Sequence, residues 1–155
     1  MKIQVAERQP VTVAGLRYTG PLGEPLGKFW RSTVAPLLAD HGLLDCPRYG
    51  VTLDNPMTTP PEKCRYDCCV ELPRGLATPD LQETTIAGGR YAITYFKGTG
   101  ATIGAAWGAL IAAILADTEN RLDAHRHPVE HYPRGAGFGQ KSGEFSCELW
   151  LPLGS

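Results

Sequence analysis

A pattern that occurs twice limits what this chain can fold into more than any other feature. Val13-Ala14-Gly15-Leu16-Arg17-Tyr18 is echoed by Ile86-Ala87-Gly88-Gly89-Arg90-Tyr91, 73 positions on (86 − 13). Trp30, Leu37, Leu38 and Asp40 are matched by Trp107, Ile114, Leu115 and Asp117 at a spacing of 77 (107 − 30). Tyr66, Cys68, Val70, Leu72 and Pro73 are matched by Phe145, Cys147, Leu149, Leu151 and Pro152 at 79 (145 − 66). Three blocks in one order mark an internal duplication, and the growing spacing places longer loops in the second copy.

Each copy reads as β-α-β-β. In the first, Val11, Val13 and Gly15 alternate with Thr12 and Ala14, which predicts a strand. The turn Gly20-Pro21-Leu22-Gly23 follows. Leu26, Phe29, Trp30, Val34, Leu37 and Leu38 then recur at helical spacing, with Pro36 expected to kink or break the helix and Gly42 to stop it. Strands are expected near Tyr49–Leu53 and over Arg65–Leu72. The second copy predicts an interrupted strand over Thr84–Phe96, a helix over about Thr102–Leu115 and a last strand over Phe145–Leu151. The copies span about residues 1–75 and 82–153, joined by Arg74–Asp80 within one domain covering 1–155. One copy could not cover its own sheet. Two copies side by side give a two-layer α+β fold: one antiparallel or mixed sheet, two long helices on one face and a groove at the junction.

Charge and composition exclude several classes. With 43% apolar and 20% charged residues the chain is globular, and a net charge of −1 without a basic run leaves no footprint for nucleic acid. The apolar stretch Ile103–Leu115 is too short to span a bilayer, and the first eight residues contain no apolar signal region. Five cysteines, an odd number, fit reduced thiols, so a cytoplasmic location is expected.

Several motifs together resemble the GyrI-like small-molecule-binding domains, which also serve as effector-binding domains of AraC-type and MerR-type regulators. They are Arg17-Tyr18-Thr19-Gly20-Pro21, Trp30, Asp54-Asn55-Pro56, Cys64-Arg65-Tyr66-Asp67, Ile86–Tyr91, Pro128-Val129-Glu130-His131-Tyr132 and Glu148-Leu149-Trp150-Leu151-Pro152. The resemblance covers nearly the whole chain. It implies a tandem β-α-β-β fold of the SHS2-like kind, a ligand groove on the pseudo-twofold axis and an acidic residue in that groove, here Glu130. No helix-turn-helix segment accompanies it. After the third strand, Phe96-Lys97-Gly98-Thr99-Gly100 departs from the family's aromatic-Gly-Pro.

Glu130 among Val129, His131 and Tyr132 suits an organic cation, because charge pairing and cation–π attraction act together; the plainer alternative is a surface glutamate at a strand start. Trp30 and Trp107 are either core residues or the two walls of the groove. Tyr18, Tyr66, Tyr91 and Tyr95 lie on strands and could present rings to the same groove, as could Tyr132. His127-Pro128-Val129-Glu130-His131 spells the HxxEH zinc pattern, but the surrounding prolines and glycines oppose the helix it needs. Cys64, Cys68, Cys69 and Cys147 read as small buried hydrophobes rather than ligands. Gly98–Thr102 reads as a turn, not a phosphate loop. No metal, cofactor or catalytic group is expected. The leading reading is a stand-alone binder of amphipathic or cationic small molecules that senses or sequesters drugs. Two alternatives follow from the resemblance: inhibition of DNA gyrase through protein contact, and hydrolysis of cyclopropane-bearing toxic compounds using Glu130.

Overall fold

The computed structural model describes residues 1–76 and 78–154; Ala77 of the expected link and Ser155 lie outside the described residues. The strands are β1 (Gln4–Arg8), β2 (Val11–Thr19), β3 (Arg48–Thr52), β4 (Arg65–Glu71), β5 (Gln82–Ile86), β6 (Gly89–Gly98), β7 (Val129–Tyr132) and β8 (Phe145–Pro152). They form one sheet in the order β1-β6-β8-β7-β3-β4-β2-β5, and every named pair is antiparallel. The order is symmetric about the β7–β3 pair, where Tyr49 lies opposite His131.

This topology amends the expected unit. The interrupted strand is two strands, β5 and β6, and each copy is β-β-α-β-β. The first strand of each copy joins the other copy's half of the sheet: β1 pairs with β6, and β5 pairs with β2. The halves are therefore stitched together by backbone hydrogen bonds as well as by packing.

Helices α1 (Glu24–Phe29) and α2 (Ala35–Asp40) are joined without a break by a π turn, Trp30–Val34, in which the Ala35 N–H reaches the Trp30 carbonyl five residues back. The proline expected to kink or break the helix is thus accommodated. Widening the turn before Pro36 relieves the clash its ring would make in a regular helix. The rod ends in a Schellman motif. The Leu43 N–H reaches the Leu38 carbonyl at 2.8 Å, the Gly42 N–H reaches Ala39 at 3.1 Å, and Gly42 takes a φ of +69°. Helix α3 (Ile103–Leu115) is regular. The π turn adds one residue to the first copy, so Val34 and Leu38 occupy the places of Leu110 and Ile114, and all four are buried. Leu115, which the simple spacing pairs with Leu38, is exposed.

Both helices lie on one face of the sheet. Leu26, Trp30, Val34, Leu38, Leu110 and Ile114 form one core with Ala14, Tyr66, Cys68, Val70, Cys147 and Leu149. The opposite face carries a smaller core around Val13, Tyr49, Tyr91, Ile93, Val129 and Trp150. Strand period decides which side chain goes where. No helix is long and apolar enough to cross a membrane among the described residues.

Candidate functional site

A cavity of about 340 Å³ lies between the helix layer and the middle of the sheet, where the two copies meet. That is within the size range of drug-like ligand sites. Leu26, Trp30, Ile103 and Trp107 line it from the helices, Tyr66, Glu130 and Tyr132 from the strands, and Phe138 from the loop after β7.

Glu130 is the polar centre. It points from β7 into the helix-side layer and is 6% exposed. Its Oε1 accepts the Tyr66 hydroxyl at 2.7 Å and the Tyr132 hydroxyl at 3.0 Å, and its Oε2 accepts the Trp107 Nε1–H at 3.1 Å. Burial raises the Glu130 pKa, and the hydrogen bonds from Tyr66, Trp107 and Tyr132 partly oppose that rise. Burial also pushes the Tyr66 and Tyr132 hydroxyls well above the ordinary tyrosine value, with the Glu130 charge adding to it, so both remain donors.

Gly50 makes the cluster possible. It sits on β3 between Cys68 of β4 and Glu130 of β7. The Tyr66 side chain crosses β3 at this point to reach a carboxylate two strands away. A Cβ at position 50 would lie 1.5 Å from the Tyr66 hydroxyl oxygen.

The second charge in the cavity is Arg48, also on the helix side of β3 and 2% exposed. Its Nη2 donates to the carbonyls of Ala136 and Gly137, each at 2.9 Å. Its guanidinium lies 3.5 Å from the centre of the Phe138 ring, 5.0 Å from Tyr132 and 5.3 Å from Trp30. Desolvation lowers its pKa to about 10, which still leaves it charged at neutral pH. Sequence reasoning missed Arg48. Arg48, Gly50 and Thr52 alternate with Tyr49 and Val51, a pattern that ordinarily assigns the polar set to solvent. Here that face lines a cavity.

Five of the expected site residues are brought together: Glu130, Trp30, Trp107, Tyr66 and Tyr132. Three tyrosines are not. Tyr18 faces the helices but packs on Phe29 and donates its hydroxyl to the Pro21 carbonyl at 2.6 Å, which ties down the turn after β2. Tyr91 lies in the core of the opposite face, packs against Trp150 and donates to the Ala87 carbonyl. Tyr95 shares that opposite face and is 67% exposed, two residues beyond Ile93, the last β6 residue paired with β1. For the two tyrosines of β6 the difference has one cause. Ala14 lies opposite Val70, and Thr94 lies opposite Leu149. Given the match of Val70 to Leu149, the strands β2 and β6 correspond at a spacing of 80 (94 − 14), not 73. The difference is odd, so the apparent match assigns Tyr91 to the wrong face.

Glu130 and His131 are neighbours on a strand and point to opposite faces. His131 meets Glu148 at 2.9 Å and stacks on Tyr49, so the HxxEH pattern does not gather its ligands. Burial raises the thiol pKa values of Cys68, Cys69 and Cys147, which fits core packing.

The raised Glu130 pKa has a sign that can be tested on folding. Between its unfolded and folded pKa values the native protein holds more protons than the unfolded chain. The stability contributed by this group therefore declines as pH rises through that window. Denaturant titrations of wild type and Glu130→Gln across mildly acidic pH should show a declining difference that the variant lacks. Superimposable pH profiles would contradict it.

The fold has known counterparts. The solved structure of SAV2435 bound to tetraphenylphosphonium aligns with a TM-score of 0.69, at 18% identity, over 100% of this chain and 95% of that one. The C-terminal domain of EcmrR aligns with a TM-score of 0.71, at 15% identity, over 99% and 98%. In sequence, a DNA gyrase inhibitor from Escherichia fergusonii is 27% identical over 164 aligned residues, covering 99% of this chain and 98% of that protein. The model of the GyrI-like small molecule binding domain matches residues 1–153, and the chain belongs to that family.

Proposed function

We propose that this protein binds lipophilic organic cations in the cavity, with Glu130 as the charge that receives them. The observation that carries the reading is a buried carboxylate held by three ring donors in an aromatic cavity of about 340 Å³. Its Oε2 accepts one hydrogen bond and keeps acceptor capacity. An incoming cation stabilises the ionised carboxylate, while the ring of Trp107, which donates to Glu130, offers cation–π attraction. SAV2435, which shares the fold, binds such a cation, tetraphenylphosphonium. Sensing or sequestering drug-like cations is the role this supports. A second reading, inhibition of DNA gyrase by protein contact, is supported by the name of the Escherichia fergusonii relative; a supercoiling assay with purified gyrase tests it.

Proton linkage tests the first reading. Protonated Glu130 is neutral and attracts no cation, and its pKa is raised. Affinity for tetraphenylphosphonium should therefore increase with pH through that pKa, and binding should release protons. Calorimetric titrations at several pH values, in two buffers of different ionisation enthalpy, measure both. Affinity independent of pH, or falling as pH rises, would contradict it.

A further inference from the structure

Arg48 and Glu130 hold the same place in the two copies. Arg48 lies opposite Val70 and Glu130 opposite Leu149, and Val70 and Leu149 are themselves a matched pair. Across the central pair, Arg48 faces Tyr132 and Glu130 faces Gly50, as the pseudo-twofold requires. One position in the groove therefore carries opposite charges in its two copies.

The tryptophans follow the same logic. Trp107 donates its Nε1–H to Glu130. Its counterpart Trp30 faces a guanidinium, which offers no acceptor. Trp30 is 6% exposed, and its Nε1 is buried with no hydrogen-bond partner. Arg48 also has donors to spare. A guanidinium has five N–H groups and Nη2 carries two of them; its contacts with Ala136 and Gly137 are both made by Nη2. None of the ion pairs among the described residues includes Arg48. The surroundings of Arg48 and Trp30 thus offer unused donors to the cavity, and Glu130 offers a carboxylate.

We propose that the pocket is bipolar and selects an aromatic zwitterion, with the ligand's cationic group at Glu130 and a carboxylate or like acceptor at Arg48 and Trp30. The proposal rests on the reading of Glu130 as the cation site. Arg48 is then the specificity-determining residue. It accepts the anionic end, and it disfavours a bare cation by repulsion and by occupying the faces of Trp30, Tyr132 and Phe138. An anion replaces the missing acceptor and relieves the cost of a buried, unpaired charge.

The probes are butyltriphenylphosphonium and its zwitterionic counterpart, carboxybutyl-triphenylphosphonium, titrated at neutral pH. Wild type should bind the zwitterion about tenfold or more tightly than the cation, the scale of one charge-assisted hydrogen bond. Arg48→Met should abolish that ratio and improve binding of the cation, whereas Arg48→Lys should retain part of it. Trp30→Phe keeps an aromatic ring and removes the N–H together with the fused pyrrole ring, so it should reduce the ratio even if Arg48→Met does not fold. Glu130→Gln should weaken both probes by a similar factor and leave the ratio intact. Equal wild-type affinities, or an unchanged ratio in Arg48→Met, would overturn this proposal alone. Unchanged cation affinity in Glu130→Gln would overturn the cation reading instead, and no binding of either probe would overturn both.

Discussion

Replacing Gly50 with alanine should lower stability by about 3 kcal/mol and disconnect Tyr66 from Glu130. The new Cβ would fall 1.5 Å from the Tyr66 hydroxyl oxygen and 2.3 Å from its Cζ, so the ring must leave. Displacing a fully packed tyrosine costs on the scale of overpacking, ~1–3 kcal/mol. Glu130 also loses its shortest hydrogen bond, a charge-assisted one worth ~1.5–3 kcal/mol. For a chain of this length the melting temperature should fall by about 10 °C. A double-mutant cycle separates the clash from a general intolerance of β3. In a Tyr66→Leu background the same Gly50→Ala change should cost little, because the crossing ring is gone. Equal costs in both backgrounds would show that Gly50 is required for another reason.

The parts of this architecture that were legible in the sequence are those set by local periodicity. The apolar stripe from Leu26 to Leu38 and the one from Ile103 to Ile114 defined two helices, and the repeat placed them on equivalent ground. Trp30 and Trp107 stand out in the sequence because they are equivalent and large, and Glu130 through the motif that carries the family resemblance. What stayed hidden was non-local. Strand β1 reads Gln4-Val5-Ala6-Glu7-Arg8, with little apolar content, and it is a strand because β6 offers a free edge. The π turn is invisible because its extra residue leaves the apolar spacing nearly intact. Arg48 was hidden by chemistry: a charged residue on an alternating strand signals solvent unless the space in front of it is enclosed. The tyrosines of β6 were lost to a register error, which short repeats of Gly, Arg and Tyr invite.

Glu130→Gln should have the largest effect on binding. The amide keeps the shape of the carboxylate and removes its charge. Its carbonyl oxygen can still accept from Tyr66 and Tyr132, which share Oε1 in the native protein. Its NH₂ then faces the Trp107 Nε1–H, which loses its acceptor. That loss offsets the gain from removing a buried charge, so stability should stay within about 1 kcal/mol of wild type. Binding is different, because Glu130 is the one carboxylate among the described residues that line the cavity. Loss of a charge-assisted contact of ~1.5–3 kcal/mol corresponds to roughly a ten- to hundredfold weaker affinity for a cation. A neutral ligand of similar shape gains nothing from the charge and should lose little. The most direct measurement is a calorimetric titration of wild type and Glu130→Gln with tetraphenylphosphonium and with triphenylmethanol. A cation affinity reduced ten- to hundredfold with the neutral affinity nearly unchanged is the expected result; equal losses for both ligands, or no loss for either, would contradict Glu130 as the cation site.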